Sequence, residues 1–218
     1  MKGAISLVIF DCDGVLVDSE EISNRVLAEA ITEAGLAMTS KEARAAFTGY
    51  RLADIVTEIE HRLGKRLPDK WLSKFEENRA LAFQSDLKEI PGATTAVRGL
   101  LAAGLSMCAA SQARLEKSLL TLQLVGLLEY FEGKIFSASM VEHAKPFPDL
   151  FLYAAQKMGH CPENCVVIED TVMGVTAAKK AGMRAFGYSG HGDAGPLRSA
   201  GAEVFDDMRL LPNLIAAI

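Results

Sequence analysis

Short runs of β type alternate with helical patterns along most of this chain. Continuous apolar strands separated by amphipathic helices that end at glycines are typical of a parallel sheet covered by helices on both faces. The alternation therefore predicts an α/β fold with a Rossmann-like, doubly wound parallel sheet at its core. The predicted strands are residues 5–10, 106–110, 134–136, 165–168, 184–187 and 203–205.

Residues 18–86 interrupt the alternation, because they contain helical patterns and no run of β type. The first helix is expected to begin at a capping box formed by Asp18 and Glu21, and the second at one formed by Thr39 and Glu42. We therefore predict an α/β core of residues 1–17 and 87–218, with an inserted helical cap domain of residues 18–86. An insert after the first strand lies where open α/β sheets bind ligands, so it can act as a lid.

Length and charge limit the classes of protein that this chain can represent. Its 218 residues suit one large domain or a core with a smaller insert. With 23 Lys and Arg against 28 Asp and Glu, the net charge is −5, which offers no strong field for nucleic acid. No apolar segment approaches the roughly 18 residues of a membrane span, and the first run is too short for a signal peptide. We therefore expect neither a nucleic-acid nor a membrane partner.

The cysteines indicate a reducing compartment. They are too few for a disulfide framework, and their spacing does not supply the two ligand pairs of a zinc site. We expect reduced thiols and a cytoplasmic protein. The four cysteines are Cys12, Cys108, Cys161 and Cys165.

Two of the predicted strands end in carboxylates. Asp11-x-Asp13-Gly14 follows the first run, and Glu169-Asp170 follows the run at 165–168. Parallel strands that end side by side bring these acids together, and two unit charges about 4 Å apart repel by roughly 4 kcal/mol at an effective dielectric constant of 20. Mg²⁺, which takes one or two carboxylates with waters and a substrate phosphate, removes this repulsion. Taken alone, the first segment is equally typical of an Asx turn that ends a strand.

Two further residues supply groups that bind phosphate. Ser111 follows the second run and precedes a helical pattern, so its hydroxyl and nearby backbone N–H groups can receive phosphate oxygens. Helix N-capping is the alternative role. Lys145 lies in the stiff segment Lys145-Pro-x-Pro-Asp149, where its ammonium could neutralise a nucleophile and a transferred phosphoryl group. A solvated surface lysine is the alternative.

Taken in order along the chain, these segments resemble the motifs of the haloacid dehalogenase-like superfamily. The position of the helical insert resembles that of the subfamily whose helical cap lies between the first and second motifs. Within that subfamily the chain resembles small-molecule phosphatases and β-phosphoglucomutases, including sugar-phosphate and 6-phosphogluconate phosphatases. The segments that carry the resemblance are Asp11-x-Asp13-Gly14-Val15, Ser111, Lys145-Pro-x-Pro-Asp149 and Glu169-Asp170.

The resemblance implies catalytic and metal-binding roles for the acids. Asp11 would be the nucleophile that forms an aspartyl-phosphate. Asp13 would protonate the leaving alkoxide and then deprotonate the attacking water. The side chains of Asp11 and Asp170 would bind Mg²⁺, together with the backbone carbonyl of Asp13. Glu169 would be a further ligand, either directly or through a water molecule.

The resemblance also implies residues that bind substrate. Ser111 and Lys145 would hold the phosphoryl group, and Gly14 would let the chain turn sharply over it. Arg114 could reach a second anionic group of the substrate, although a solvated arginine at a helix start fits equally well. Arg51 falls in the segment 49–52, where the family places cap residues that contact substrate, and an exposed helix-start arginine is again the alternative.

The first cap helix bears on the choice between hydrolysis and phosphoryl transfer within the substrate. The β-phosphoglucomutases carry a histidine there that delays hydrolysis of the phosphoenzyme. The matching position here is Ser23, and no histidine occurs between Asp11 and Tyr50. We therefore expect a Mg²⁺-dependent phosphatase of small phosphorylated metabolites, such as sugar or polyol phosphates, with a β-phosphoglucomutase-like mutase as the alternative.

Other functions fit the sequence less well. Dehalogenase chemistry needs no acid at the position of Asp13, and a non-enzymatic binding or regulatory protein does not need all four motifs intact. A monomer and a dimer both remain open. Cys12 is expected to be a buried small hydrophobe, and Trp71 and Phe75 to belong to the core of the cap. His191, in the glycine-rich loop at 189–195, receives no role.

Overall fold

The computed structural model describes residues 4–48 and 50–218. The chain divides into two compact units. The α/β unit comprises Met1–Asp18 and Glu89–Ile218, and the helical unit comprises Ser19–Lys88. Gly49, which belongs to the segment 49–52 discussed above, lies outside the described residues.

The α/β unit contains a six-stranded sheet whose neighbouring strands are all parallel. The strand order is β3-β2-β1-β4-β5-β6, so β1 lies between β2 and β4. This confirms the predicted α/β fold, and each predicted run coincides with a strand apart from residues at its ends. The strands are β1 (Leu7–Phe10), β2 (Ser106–Ser111), β3 (Ile135–Ser137), β4 (Cys165–Glu169), β5 (Arg184–Tyr188) and β6 (Glu203–Phe205).

The central strands are buried along their whole length, as a parallel sheet covered on both faces requires. Every residue of β1 and of β4 is buried. The register pairs Phe10 at the end of β1 with Ala109 of β2 and with Ile168 of β4. The residues that follow these three positions therefore lie at one edge of the sheet.

The helical unit consists, in its described residues, of four helices and no strand. Its buried side chains include Ile31, Ile59, Phe75 and Phe83. The Trp71 and Phe75 rings stack with centroids 5.7 Å apart within this core, as predicted. The helices are α1 (Glu20–Glu33), α2 (Ser40–Phe47), α3 (Leu52–Leu63) and α4 (Trp71–Asp86).

One of the two predicted capping boxes is confirmed and the other is wrong. At the start of α2 the Thr39 side chain accepts from the Glu42 N–H, and Glu42 Oε2 accepts from the Thr39 N–H at 2.8 Å. The α1 helix instead begins at Glu20, with Ser19 at its N-cap and no side-chain capping bond. Asp18 lies one residue before the N-cap position, because the helix begins one residue later than the pattern predicts.

Seven further helices belong to the described part of the α/β unit. They connect the strands and cover the sheet. Short 3₁₀ turns occur at Ala138–Met140, Pro162–Asn164 and Met208–Leu210. The helices are α5 (Ala93–Ala102), α6 (Leu115–Leu124), α7 (Leu128–Phe131), α8 (Asp149–Met158), α9 (Val172–Lys180), α10 (Gly195–Ser199) and α11 (Leu211–Ala216).

The two chain segments that border the helical unit run side by side within the α/β unit. Val17 and Glu89 form an isolated antiparallel bridge. The Ile90 N–H donates to the Leu16 carbonyl at 3.1 Å. None of the helices in the described part of the chain is both long enough and apolar enough to cross a bilayer.

Candidate active site

The Asp11 side chain lies at the carboxyl end of β1, in the middle of the sheet. Its backbone N–H donates to the Ile168 carbonyl at 2.8 Å and so extends the pairing of β1 with β4 by one residue. The residue is only 7% exposed. Its Oδ1 accepts a hydrogen bond of 2.6 Å from Lys145 Nζ. The fold therefore brings a buried carboxylate into direct contact with a lysine from a distant segment of the chain.

Lys145 is a buried cation, and the solvated-surface alternative for this residue is wrong. Its side chain is 2% exposed. The ammonium donates to Asp11 Oδ1, to Glu169 Oε1 at 2.7 Å and to the Ala110 carbonyl at 3.0 Å. It also lies 4.8 Å from the centre of the Phe151 ring, where a cation is attracted to the aromatic face. These contacts fix one positive charge beside the Asp11 carboxylate.

Burial and the charges of this cluster shift the pKa values of Asp11 and Lys145. Burial raises the pKa of Asp11 to about 7; the Lys145 ammonium opposes this rise, while the negative charges of Glu169 and Asp13 add to it. Burial alone would lower the pKa of Lys145, but the charges of Asp11 and Glu169 outweigh burial, and the pKa lies above its usual value. The site therefore keeps its cation, and Asp11 loses its proton only near neutral pH.

Both carboxylate oxygens of Glu169 are engaged by protein groups. Oε1 accepts from Lys145 Nζ, and Oε2 accepts from the backbone N–H and the hydroxyl of Thr171, each at 2.8 Å. Gly174 in α9 leaves room for this carboxylate, since a Cβ at that position would lie 1.8 Å from Glu169 Oε1. Contacts with Lys145, Thr171 and Gly174 therefore fix the Glu169 side chain, and its carboxylate orients Lys145.

Asp13 forms an ion pair that the sequence did not suggest. Its Oδ1 accepts from Lys117 Nζ, and the two side chains are 27% and 11% exposed, respectively. Lys117 lies in α6, which is far from Asp13 in the sequence. No motif or spacing marked this lysine, because its role depends on how α6 packs against the segment after β1.

Gly14 sits where no other residue fits. Its φ of +78° is a left-handed conformation that favours glycine, and a Cβ there would lie 2.1 Å from Asp170 Oδ2. The turn brings the Asp170 carboxylate against the backbone that follows Asp13. The Gly14 carbonyl also lies 3.1 Å from Nε2 of His191, a residue without a predicted role.

Ser111 is the last residue of β2 and is buried. Its Oγ accepts from the Ala113 N–H at 3.0 Å, and α6 begins only at Leu115, so the alternative role of Ser111 as the N-cap of this helix is wrong. The adjacent Gln112 uses its side-chain amide to bind the backbone of Lys145, accepting from its N–H at 3.2 Å and donating to its carbonyl at 3.3 Å. The sequence did not identify Gln112.

Both candidate arginines are exposed residues at helix starts. Arg114 is exposed at the N-cap position of α6 in the α/β unit. Arg51 is exposed at the N-cap position of α3 in the helical unit, where its Nε donates to Asp54 at 3.0 Å. Cys12, between the two aspartates, is fully buried, and burial raises the pKa of its thiol. Cys12 is thus an inert small hydrophobe, as expected.

The oxygen groups at this edge are of the chemical type that a magnesium ion binds. Within residues 4–48 and 50–218, no group of three or more His, Cys, Asp or Glu side chains is arranged to hold a metal. Mg²⁺ needs fewer, because one or two carboxylates suffice when waters and a substrate phosphate complete the octahedron. Asp11 and Asp170 could supply these carboxylates, and Asp13 a carbonyl oxygen. The raised pKa of Asp11 marks a site where an added cation would relieve the cost of the ionised form.

A buried charge is costly, and ligand binding alone does not require one. A carboxylate held beside a buried lysine at the carboxyl edge of a parallel sheet is therefore typical of the active site of an α/β enzyme. The comparison with known families is consistent with this. The model of the haloacid dehalogenase-like hydrolases matches residues 5–182, and the chain belongs to that family.

Relatives of known sequence or structure share almost the full length of the chain. The 6-phosphogluconate phosphatase of Escherichia coli is 30% identical over 211 residues, which cover 96% of this chain and 94% of that protein. A haloacid dehalogenase-like protein of unknown function from Agrobacterium tumefaciens is 36% identical, with a TM-score of 0.80 and coverage of 98% and 99%. A family hydrolase from Deinococcus radiodurans, with bound phosphate and sodium, is 33% identical, with a TM-score of 0.76 and coverage of 98% and 96%.

Proposed function

We propose that this hydrolase is a Mg²⁺-dependent phosphatase that cleaves phosphate monoesters of small metabolites, with sugar and polyol phosphates as its substrate class. The observation that carries the proposal is the buried Asp11 carboxylate, held 2.6 Å from Lys145 Nζ at the carboxyl end of the central strand. The similarity to a 6-phosphogluconate phosphatase supports the substrate class. The phosphate bound to the Deinococcus relative supports a phosphate site in this fold.

In the first step a carboxylate oxygen of Asp11 attacks phosphorus. The new bond joins Asp11 to the phosphoryl group, and the bond from phosphorus to the leaving oxygen breaks. Asp13 gives its carboxyl proton to the departing alkoxide, which leaves as an alcohol. Lys145 and Ser111 stabilise the charge on the transferred group, since a fixed donor in a buried site needs no reorganisation.

In the second step water hydrolyses the aspartyl-phosphate. Asp13, now a carboxylate, takes a proton from the water as its oxygen attacks phosphorus. The bond between phosphorus and the Asp11 oxygen breaks, which releases inorganic phosphate and restores the nucleophile. The same residue thus serves as acid in one step and as base in the next.

Mg²⁺ would neutralise charge on the phosphoryl oxygens and on the nucleophile when bound. The side chains of Asp11 and Asp170 and the carbonyl of Asp13 would hold the ion. Glu169 contributes chiefly by orienting Lys145, because both of its oxygens accept hydrogen bonds from Lys145 and Thr171; a water molecule would have to mediate any contact with the metal.

The helical unit is assigned the role of a cap domain that selects the leaving group. Arg51 and Arg114 are the candidate contacts for anionic or hydroxyl groups of the substrate, and Gly14 turns the chain over the phosphate. The bounds of the unit, Ser19–Lys88, lie close to the predicted cap of residues 18–86.

A screen of phosphate esters tests this function. The purified protein is incubated with sugar phosphates, polyol phosphates and 6-phosphogluconate, with Mg²⁺ or with EDTA, and released phosphate is measured. We expect metal-dependent release from at least one ester, and loss of turnover in Asp11→Asn. The matched control is Asp206→Asn, which removes an exposed aspartate of the same unit and should retain activity. Absence of release from every ester would contradict the proposal.

The screen also separates hydrolysis from the mutase alternative. A β-phosphoglucomutase-like enzyme would convert one hexose phosphate isomer into the other when primed with a hexose bisphosphate, with little phosphate released. Ser23, rather than histidine, occupies the matching position of α1, which favours hydrolysis. Isomer conversion faster than phosphate release would establish the alternative.

A further inference from the structure

Lys117 is a second lysine at the candidate site that the proposed reaction does not use. Its ammonium contacts Asp13 Oδ1, while Lys145 contacts Asp11. The Lys117 side chain is 11% exposed, so most of its length is packed and its head group is confined. Asp13, by contrast, is 27% exposed, so packing confines its carboxyl group less. The pair therefore joins a confined cation to a more exposed acid.

The α6 helix contacts the segment after β1 at two neighbouring points. Lys117 and Thr121 are four residues apart, so they share one face of the helix. Thr121 is fully buried, and its hydroxyl lies 4.0 Å from Cys12 Sγ while donating to the Lys117 carbonyl at 3.0 Å. One helix face thus faces both Cys12 and Asp13, and the position of Lys117 is fixed by the packing beneath it.

The geometry points to Lys117 as a positioning residue for Asp13. The ammonium holds the Asp13 carboxyl group in one orientation, from which it meets the leaving oxygen of the substrate. This inference rests on the proposed function, in which Asp13 transfers a proton to the leaving oxygen. Orientation of this kind matters because a proton-transfer group works only within hydrogen-bond reach of the atom it serves. Lys117 acts through Asp13 and makes no bond to the reacting atoms itself.

The dependence on the leaving group separates this role from a merely structural one. A sugar or polyol phosphate releases an alkoxide, which needs a proton, whereas p-nitrophenyl phosphate releases a stable phenolate, which does not. In Lys117→Met, kcat/KM for the best sugar or polyol phosphate should fall by about tenfold or more, which is part of the roughly 10²–10⁴-fold that acid–base catalysis contributes. For p-nitrophenyl phosphate the fall should be about threefold or less. An equal fall for both esters would overturn the inference.

A double-mutant cycle gives a second readout. If Lys117 acts only through Asp13, Lys117→Met should cost little in a protein that already carries Asp13→Asn. We expect a further loss of about twofold or less in that background. Losses that multiply in the double variant would show that Lys117 acts independently of Asp13, and would overturn the inference.

Controls distinguish loss of the proposed role of Lys117 from a folding defect and from an error in the proposed function. Lys117→Gln is a second variant that keeps a polar side chain, and thermal unfolding monitors both substitutions. Lys179→Met removes an exposed lysine of α9 and should leave kcat/KM unchanged for both substrates. A wild-type protein that releases no phosphate would contradict the proposed function. An active wild type that is impaired by Asp13→Asn but unaffected by Lys117→Met would contradict only the role of Lys117.

Discussion

Lys145 and Glu169 form a buried ion pair, with Nζ 2.7 Å from Oε1. The same ammonium lies 2.6 Å from Asp11 Oδ1, so one cation faces two carboxylates. When both acids are ionised, this group of three carries one negative charge in excess in a buried place. Its stability therefore depends on pH, on added cations and on each of its members.

The excess charge predicts that Asp11→Asn stabilises the metal-free protein, and more so at higher pH. The folded pKa of Asp11 is about 7 against an ordinary value of 3.8, so the folded state keeps a proton that the unfolded chain loses. The contribution of Asp11 to the free energy of unfolding is fully present below pH 3.8. It is lost as the pH rises to about 7. Between pH 5 and pH 8 the gain in Tm of Asp11→Asn over wild type should grow by about 5–10 °C.

Thermal unfolding in EDTA at several pH values measures this gain. Asp206→Asn serves as the control, because it removes an exposed aspartate outside the cluster. A gain in Tm that stays constant from pH 5 to pH 8 would show that Asp11 does not hold a proton in the folded protein.

Magnesium should stabilise the folded protein through the proposed ligands Asp11 and Asp170. An ion that binds only the folded state adds free energy by mass action, about 2.7 kcal/mol at a concentration of 100 Kd. We expect MgCl2 to raise the Tm of wild type, and Asp170→Asn to remove most of the increase. Calorimetric titration of the metal alone checks the affinity directly. An Asp170→Asn protein that responds like wild type would exclude Asp170 as a ligand.

Removal of Lys145 should be costly for both stability and catalysis. Lys145→Ala leaves two buried carboxylates without their cation, and breaking a buried pair in this way costs about 3–5 kcal/mol of unfolding free energy. The loss of transition-state stabilisation should be about 3 kcal/mol or more. Urea unfolding and kcat/KM measure the two effects. Lys179→Met, in which an exposed lysine is lost, is the control.

A second substitution should partly restore the stability of a Lys145 variant. Lys145→Met with Glu169→Gln removes one carboxylate as well as the cation, so the double variant should unfold at a higher urea concentration than Lys145→Met alone. Equal midpoints would mean that Glu169 is not left with an uncompensated charge, and that the ion pair contributes little.

Gly174→Ala tests whether the position of Glu169 matters. Alanine is normally favoured over glycine in a helix by about 1 kcal/mol, so a neutral site would gain stability. Here the new Cβ would lie 1.8 Å from Glu169 Oε1 and must displace that carboxylate, and Lys145 with it. We expect lower stability and a fall in kcat of about tenfold or more. Gly192→Ala, in a loop where a Cβ meets nothing within 4 Å, controls for the added methyl group alone.

The sequence predicted the sheet and much of the candidate site because both follow from local patterns. Apolar runs mark buried strands wherever they occur, and acids placed after two such runs must meet if the strands are adjacent and parallel. The contact of Lys145 with Asp11 was expected only as a charge near the nucleophile. Its exact partners depend on the segment after β3 folding back over the sheet edge, which no local pattern specifies.

The residues that sequence reasoning missed act across long stretches of chain. Lys117 meets Asp13 only because α6 packs against the segment after β1, and Gln112 meets the backbone of Lys145 only when two loops come together. Gly174 has an ordinary helical backbone, so its role is visible only from the Glu169 carboxylate beside it. The error at Asp18 had a local cause: the backbone enters the helix one residue later than the capping pattern suggested.

The bridge between Val17 and Glu89 has a consequence for how this molecule can diverge. The chain segments that leave and re-enter the α/β unit meet at this bridge. The polypeptide between them, Ser19–Lys88, is therefore a cassette, meaning an insert that can be exchanged as a whole. It can be lengthened, reshaped or exchanged without moving the strands that carry Asp11 and Glu169. Under the proposed function, a new substrate preference would then require changes within this insert and none in the residues proposed to transfer the phosphoryl group.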